Sequence, residues 1–174
     1  LYGKPETLDE FCIKAQMVNY ESHRAMFESW NSKLWNNTSG ILLWMTHPAW
    51  PSTVWQVYSW DYETFGSYFA SKKACEPIHV QMNLDDNKVS AINTSLESIE
   101  DAKVKLEFFD MSGKSLFINE LKKDIDSNKL TYFFTPQFPA NLPEIFLARL
   151  ILTDSEGNEI SRNDYWKNNS ENGD

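Results

Sequence analysis

The hydrophobic pattern of the chain changes period at Pro77. Before it, apolar residues recur every three or four positions, as along one face of a helix; after it they alternate with polar residues, as along a strand. One pattern cannot serve both structures. The sequence therefore predicts two parts of different build, residues 1–77 and residues 78–167, with a polar tail over residues 168–174.

In the first part, Thr7-Leu8-Asp9-Glu10 has the form of a capping box, in which hydroxyl and carboxylate each satisfy an orphan backbone N–H. Leu8, Phe11, Cys12, Ala15, Val18, Ser22, Ala25 and Met26 then mark the buried face of a helix running to about Trp30, with Lys14, Glu21, Arg24 and Glu28 on its far side. After a loop at residues 36–40, the all-apolar run Ile41 to Met45 predicts a strand covered on both faces, as parallel strands are. Ser67 caps a second helix through Cys75, and Pro77 ends it. Between them lies an aromatic loop: four of the seven tryptophans, Trp44, Trp50, Trp55 and Trp60, fall within residues 40–62. Tryptophan brings a large flat apolar area and an indole N–H that needs a partner, so the loop suggests a surface for flat ligands such as sugar rings.

The second part holds seven alternating runs: residues 78–84, 88–94, 102–110, 114–121, 130–135, 145–153 and 159–166. Turn-forming clusters such as Asp85-Asp86-Asn87 and Asp126-Ser127-Asn128 separate them. That density of short strands predicts an immunoglobulin-like sandwich, although without the Cys-Trp-Cys set of antibody domains. Lys103, Lys105 and Glu107 form the solvated face opposite Val104, Leu106 and Phe108. A sugar-binding role here would call for exposed aromatics such as Tyr132, Phe134 or Phe138, and alternation turns at least some of these inward.

Lys+Arg number 16 against 25 Asp+Glu, a net charge of −9, which argues against nucleic acid and anionic membranes as partners. The longest apolar run falls far short of the roughly 20 residues of a membrane span. The two cysteines, Cys12 and Cys75, read as buried thiols, with a single bridge as the alternative, and no spacing suits a metal or other cofactor. The chain opens Leu-Tyr-Gly without a leader pattern, as if cut from a longer protein, so a periplasmic or secreted location would need a signal upstream.

A lone parallel strand needs neighbours this chain does not contain, and the missing part of a (β/α)8 barrel is the simplest source. The fold class expected is thus mainly β: a sandwich preceded by the last helix-strand-helix portion of such a barrel, whose chemistry sits on loops after the strands. The runs G-I-L-L-W-M-T-H-P-A-W-P-S-T-V-W, S-Y-F-A-S-K-K-A-C-E-P-I-H-V-Q and L-T-D-S-E-G-N-E-I-S-R-N-D-Y-W resemble the C-terminal region of glycoside hydrolase family 2, closest to the exo-β-D-glucosaminidases, β-mannosidases and endo-β-mannosidases. The resemblance implies a retaining mechanism with two glutamates about 5–5.5 Å apart, both upstream of Leu1, so no catalytic residue is expected in this chain. It implies that Trp44 stacks beneath the sugar and that His47, where relatives carry asparagine, keeps a polar contact. Trp50 and Trp55 are candidates for outer subsites, and Tyr2 for a contact from the loop after the seventh strand. Asp61 and Glu63 are the only close carboxylates in the loop and read as solvated charges rather than an acid/base pair. The partners implied are a β-linked saccharide and the remainder of the barrel. A stand-alone carbohydrate-binding or interaction module is the competing reading.

Overall fold

The computed structural model describes residues 2–52 and 56–169, which divide into two compact units at Glu76/Pro77. Each is described by itself.

The first unit contains α1 (Leu8–Asn31) and α2 (Gly66–Ala74). Thr7 caps α1, its Oγ1 accepting from Glu10 N at 3.2 Å, while the Glu10 carboxylate takes the N–H of Glu6 at 2.8 Å rather than that of the cap. Phe65, not Ser67, is the N-cap of α2. Ser67 lies in the first turn, donating instead to Gln56 O at 3.0 Å. The two helices touch closely at Gly66, whose N–H donates to Gln16 Oε1 at 2.6 Å. A Cβ there would lie 2.3 Å from the Gln16 carbonyl oxygen, so only glycine permits the approach. At the other end, Asn31 Nδ2 donates to Ala74 O at 2.9 Å.

Three further expectations for this unit fail. Residues 41–45 form no strand: Leu42 is 98% and Trp44 82% exposed, and Met45 sits at φ 60°. A strand persists only where neighbours take its N–H and C=O groups, and no described segment supplies that partner. The face of α1 expected to be buried is open, with Leu8 76% and Phe11 55% exposed, whereas Arg24 and Glu28, assigned to the solvated side, are buried. Periodicity identifies the face that needs cover; here the described residues do not provide it. Cys12 and Cys75 are likewise solvent-exposed and unbridged rather than buried.

The second unit is built from β1 (Ile78–Met82), β2 (Val89–Asn93), β3 (Ile99–Phe109), β4 (Ser115–Ile125), β5 (Lys129–Phe134), β6 (Ile145–Thr153) and β7 (Glu159–Asn168). They form two antiparallel sheets, β1-β2-β5 and β4-β3-β6-β7. Cross-strand layers on the inner face of the larger sheet are set by register: Phe108, Ala148 and Tyr165 in one row, Leu106, Leu150 and Asn163 in the next, Val104, Leu152 and Ser161 in a third. The apolar members join Val80, Met82, Val89 and Phe133 in a continuous core. Asn87 and Asn128 take positive φ in the turns, a conformation their short polar side chains tolerate.

β1 is an edge strand, and β7 closes it with side chains. Val80 N donates to Ser161 Oγ at 3.2 Å and Met82 N to Tyr165 Oη at 3.0 Å. Asn163 Nδ2 donates to Val80 O at 3.1 Å and to Tyr165 Oη at 2.8 Å. The three inward polar residues of β7 thus take up backbone groups that would otherwise be an exposed template for another strand. His79 and Gln81, on the polar side of the alternation, are fully buried as well, with His79 Nε2 3.3 Å from Asn163 Nδ2.

Tyr165→Phe removes the acceptor of the buried Met82 N–H and should cost about 1–3 kcal/mol, read from urea unfolding of the chain. A loss below about 0.5 kcal/mol, the range of neutral surface changes, would contradict the closure role.

Candidate functional site

The aromatic segment folds as a loop pinned at Thr46, whose carbonyl accepts from both Val57 N at 3.1 Å and Tyr58 N at 3.0 Å. A tight turn follows, with Ser59 N donating to Glu63 O at 2.9 Å and Tyr62 N to Ser59 O at 3.1 Å. Ser59 Oγ in turn donates to the Asp61 carboxylate and accepts from Glu63 N, so Asp61 is engaged in shaping the turn. Tyr62, at φ 67°, is carried onto His47, the ring centroids 5.0 Å apart and tilted by 40°. His47 Nδ1 also lies 3.5 Å from Thr46 Oγ1. Two backbone bonds and one turn therefore hold an imidazole and a phenol together above a loop whose Pro48 is buried.

On this frame Trp44 and Trp50 stand out into solvent, 82% and 69% exposed. Their indoles make no ring contact with another described residue. Isolated exposed aromatics of this size on a pinned loop offer flat faces for stacking, and the neighbouring His47 and Tyr62 offer hydrogen-bonding tips. Trp55 lies outside the described residues. After Tyr2, Lys14 Nζ donates to the carbonyls of Gly3 at 3.4 Å and Lys4 at 3.3 Å, laying this N-terminal segment along α1.

Charge placement on α1 reveals a cluster that periodicity missed. Arg24, 2% exposed, pairs with the Glu21 carboxylate and lies over the Tyr20 ring at 5.3 Å from its centroid; Glu28 is buried one turn on. Burial raises the Glu21 carboxyl above its ordinary range, Arg24 opposes this, and Glu28 adds to it. Burial likewise raises the Tyr2 phenol, with Glu21 reinforcing and Arg24 opposing, which places Tyr2 beside this ion cluster. The signal available in the sequence was the spacing of Glu21, Arg24 and Glu28 at three and four residues, which permits ion pairs along one face. Among the described residues no His/Cys/Asp/Glu group is arranged to hold a metal.

Arg24→Met removes the one group that lowers the Glu21 pKa. Its carboxyl titration, followed by NMR, should then move up, and an unchanged or lower midpoint would contradict the assigned coupling. An acid whose folded pKa is raised favours the folded state below its unfolded pKa and loses that advantage as pH rises through the folded value. The variant should therefore be destabilised more at pH 7 than at pH 4.

No family model matches the chain. The exo-β-D-glucosaminidase of Hypocrea virens is 36% identical over 175 residues, covering 97% of this chain and 19% of that protein. The mannosylglycoprotein endo-β-mannosidase of Lilium longiflorum is 31% identical over 170 residues, covering 95% of this chain and 18% of its own length. Among solved structures, the exo-chitosanase of Amycolatopsis orientalis matches with a TM-score of 0.89 and 29% identity, over 97% of this chain and 20% of that one. The β-D-mannosidase of Dictyoglomus thermophilum shares the fold with a TM-score of 0.80 at 22% identity, over 96% of this chain and 21% of that one. The chain spans roughly a fifth of the length of these proteins. Over nearly all of its own length it is homologous to the exo-β-D-glucosaminidases and β-mannosidases of glycoside hydrolase family 2.

Proposed function

We propose that this chain is the C-terminal portion of a retaining β-glycosidase acting on β-glucosaminides or β-mannosides. Residues 1–77 supply the last part of its catalytic barrel, and residues 78–167 an immunoglobulin-like supporting domain. The observation that carries this reading is the apolar surface of the first unit. Its buried hydrophobic residues are Phe27, Val57, Ala70 and Ala74, while Leu8, Phe11, Ile13, Leu42, Trp44 and Trp50 are all more than half exposed. Soluble monomers rarely leave such area open, and a barrel wall would cover it. Residues 41–45 would then gain the strand partners they lack and become the eighth strand, with α1 and α2 as the seventh and eighth helices.

In that setting Trp44 stands at the end of the last strand, where its indole forms an apolar floor for the sugar. His47, held against Tyr62, offers a polar contact at the rim, and Trp50 and Trp55 serve outer subsites. Tyr2 reaches toward the substrate from the preceding loop. These groups bind and orient; the nucleophile and the acid/base, both glutamates, are contributed by earlier strands. Asp61, bonded to Ser59, is not a substitute for either.

The purified chain, with its near-UV circular dichroism checked for folded aromatic packing, should not hydrolyse 4-nitrophenyl β-D-glucosaminide or β-D-mannoside above the uncatalysed rate. Turnover that follows the protein through purification would overturn the placement of the catalytic glutamates.

A further inference from the structure

The described non-glycine residues at positive φ are Met45, Tyr62, Asn87, Asp101 and Asn128. Asn and Asp reach this conformation readily, because their short polar side chains bond the local backbone; a bulky side chain does so only against steric resistance. Those that are neither, Met45 and Tyr62, both lie in the aromatic loop. Tyr62, at φ 67°, stands where a glycine or an asparagine would sit with less strain. Strain of this kind persists only where the surrounding structure fixes it, and it gathers at functional sites.

The surroundings of Tyr62 do fix it. Residues 57–65 form a short hairpin, with Phe65 N donating to Val57 O at 3.1 Å, Ser59 N to Glu63 O at 2.9 Å, and Tyr58 bridging antiparallel to Thr64. Its base is buried, Gln56 at 3% and Val57 at 6% exposed, and the Ser67 Oγ bond to Gln56 O ties that base to α2. The Thr46 carbonyl, one residue before His47, holds the same base through Val57 N and Tyr58 N. The hairpin and His47 therefore share one anchor. At the tip, the Tyr62 ring is 67% exposed, and its one ring contact among the described residues is His47. Little packing depends on it. His47 is exposed as well, so its imidazole would turn freely about its side-chain torsions without a neighbour; the stacked phenol, 5.0 Å away, restricts it. Nδ1 lies 3.5 Å from Thr46 Oγ1, which leaves Nε2 as the ring nitrogen for a ligand.

We infer that Tyr62 is a positioning residue for His47: its left-handed backbone lays the phenol ring on the imidazole and fixes the plane in which Nε2 meets a sugar hydroxyl. The inference rests on the reading of His47 as a polar contact for the substrate, and adds the residue that orients it. An imidazole fixed before the substrate arrives removes an ordering cost from binding and from the transition state. Strain and function oppose each other at this residue, so glycine there should relax the turn and impair the enzyme.

The test is a kinetic double-mutant cycle on the full-length protein with its preferred aryl β-glycoside. His47→Ala and Tyr62→Gly should each lower kcat/KM roughly tenfold, and the double variant should fall no further than either alone. Tyr62→Asn, whose backbone also accepts positive φ, should match Tyr62→Gly in activity. Tyr62→Phe keeps the ring and should lose less than about threefold. The Tm of Tyr62→Gly should equal or exceed that of the unaltered protein. Unaltered kcat/KM in Tyr62→Gly beside an impaired His47→Ala would overturn the inference and leave His47 as a contact. Additive losses would also overturn it, making Tyr62 an independent contact, and so would a Tm that falls together with activity, making the ring a packing residue. His47→Ala without effect would instead contradict the underlying reading of His47, and the inference with it.

Discussion

A strand's backbone must find hydrogen-bond partners, and that requirement explains both the order of one unit and the irregular course of residues 41–45 in the other. In the sandwich each strand has a neighbour, and the edge of β1 that pairs with no strand is answered by Ser161, Asn163 and Tyr165 of β7. In the helical unit, residues 41–45 have the composition of a fully buried strand and no strand neighbour among the described residues. They run as irregular chain, with Leu42 and Trp44 in solvent. The same apolar content that builds a core in one unit becomes open surface in the other.

The strands were legible because alternation is a local signal. Residues 145–153 have the limits expected, and Val104, Leu106 and Phe108 turn inward as their spacing demands. β3 and β4 run a few residues beyond expectation: Ile125 pairs with Ile99, a contact that neither short run reveals. The burial of His79 and Gln81 was not legible, because alternation separates two faces without stating whether both are covered. For the same reason α1 was located correctly and its buried side was not. The apolar stripe Leu8–Phe11–Val18 records a need for cover, while Arg24 and Glu28 are buried where the chain itself can pair charges.

At the candidate site, sequence named the residues and structure supplied their relations. Tryptophan density pointed to Trp44 and Trp50, yet the clamp at Thr46 depends on backbone bonds between residues eleven and twelve apart, and the turn that lays Tyr62 on His47 on bonds between residues three and four apart. Tyr2, read as a possible substrate contact, lies beside the buried Glu21–Arg24 pair, so its environment is set by charges on a helix whose solvated side had been misassigned. The row formed by Phe109, Leu147 and Trp166 was invisible to alternation because it arises from register, which only strand pairing sets.

The central claim is that Trp44, idle in this chain, is a floor for the sugar once the barrel is whole. The most direct measurement is kcat/KM of the full-length protein carrying Trp44→Ala on its preferred aryl glycoside, with Trp35→Ala, a half-exposed tryptophan off the loop, as the reference. The account predicts a fall of about 100-fold for Trp44→Ala, close to 3 kcal/mol of transition-state stabilisation, and less than about twofold for the reference. Equal kinetics for Trp44→Ala and the unaltered protein would contradict it.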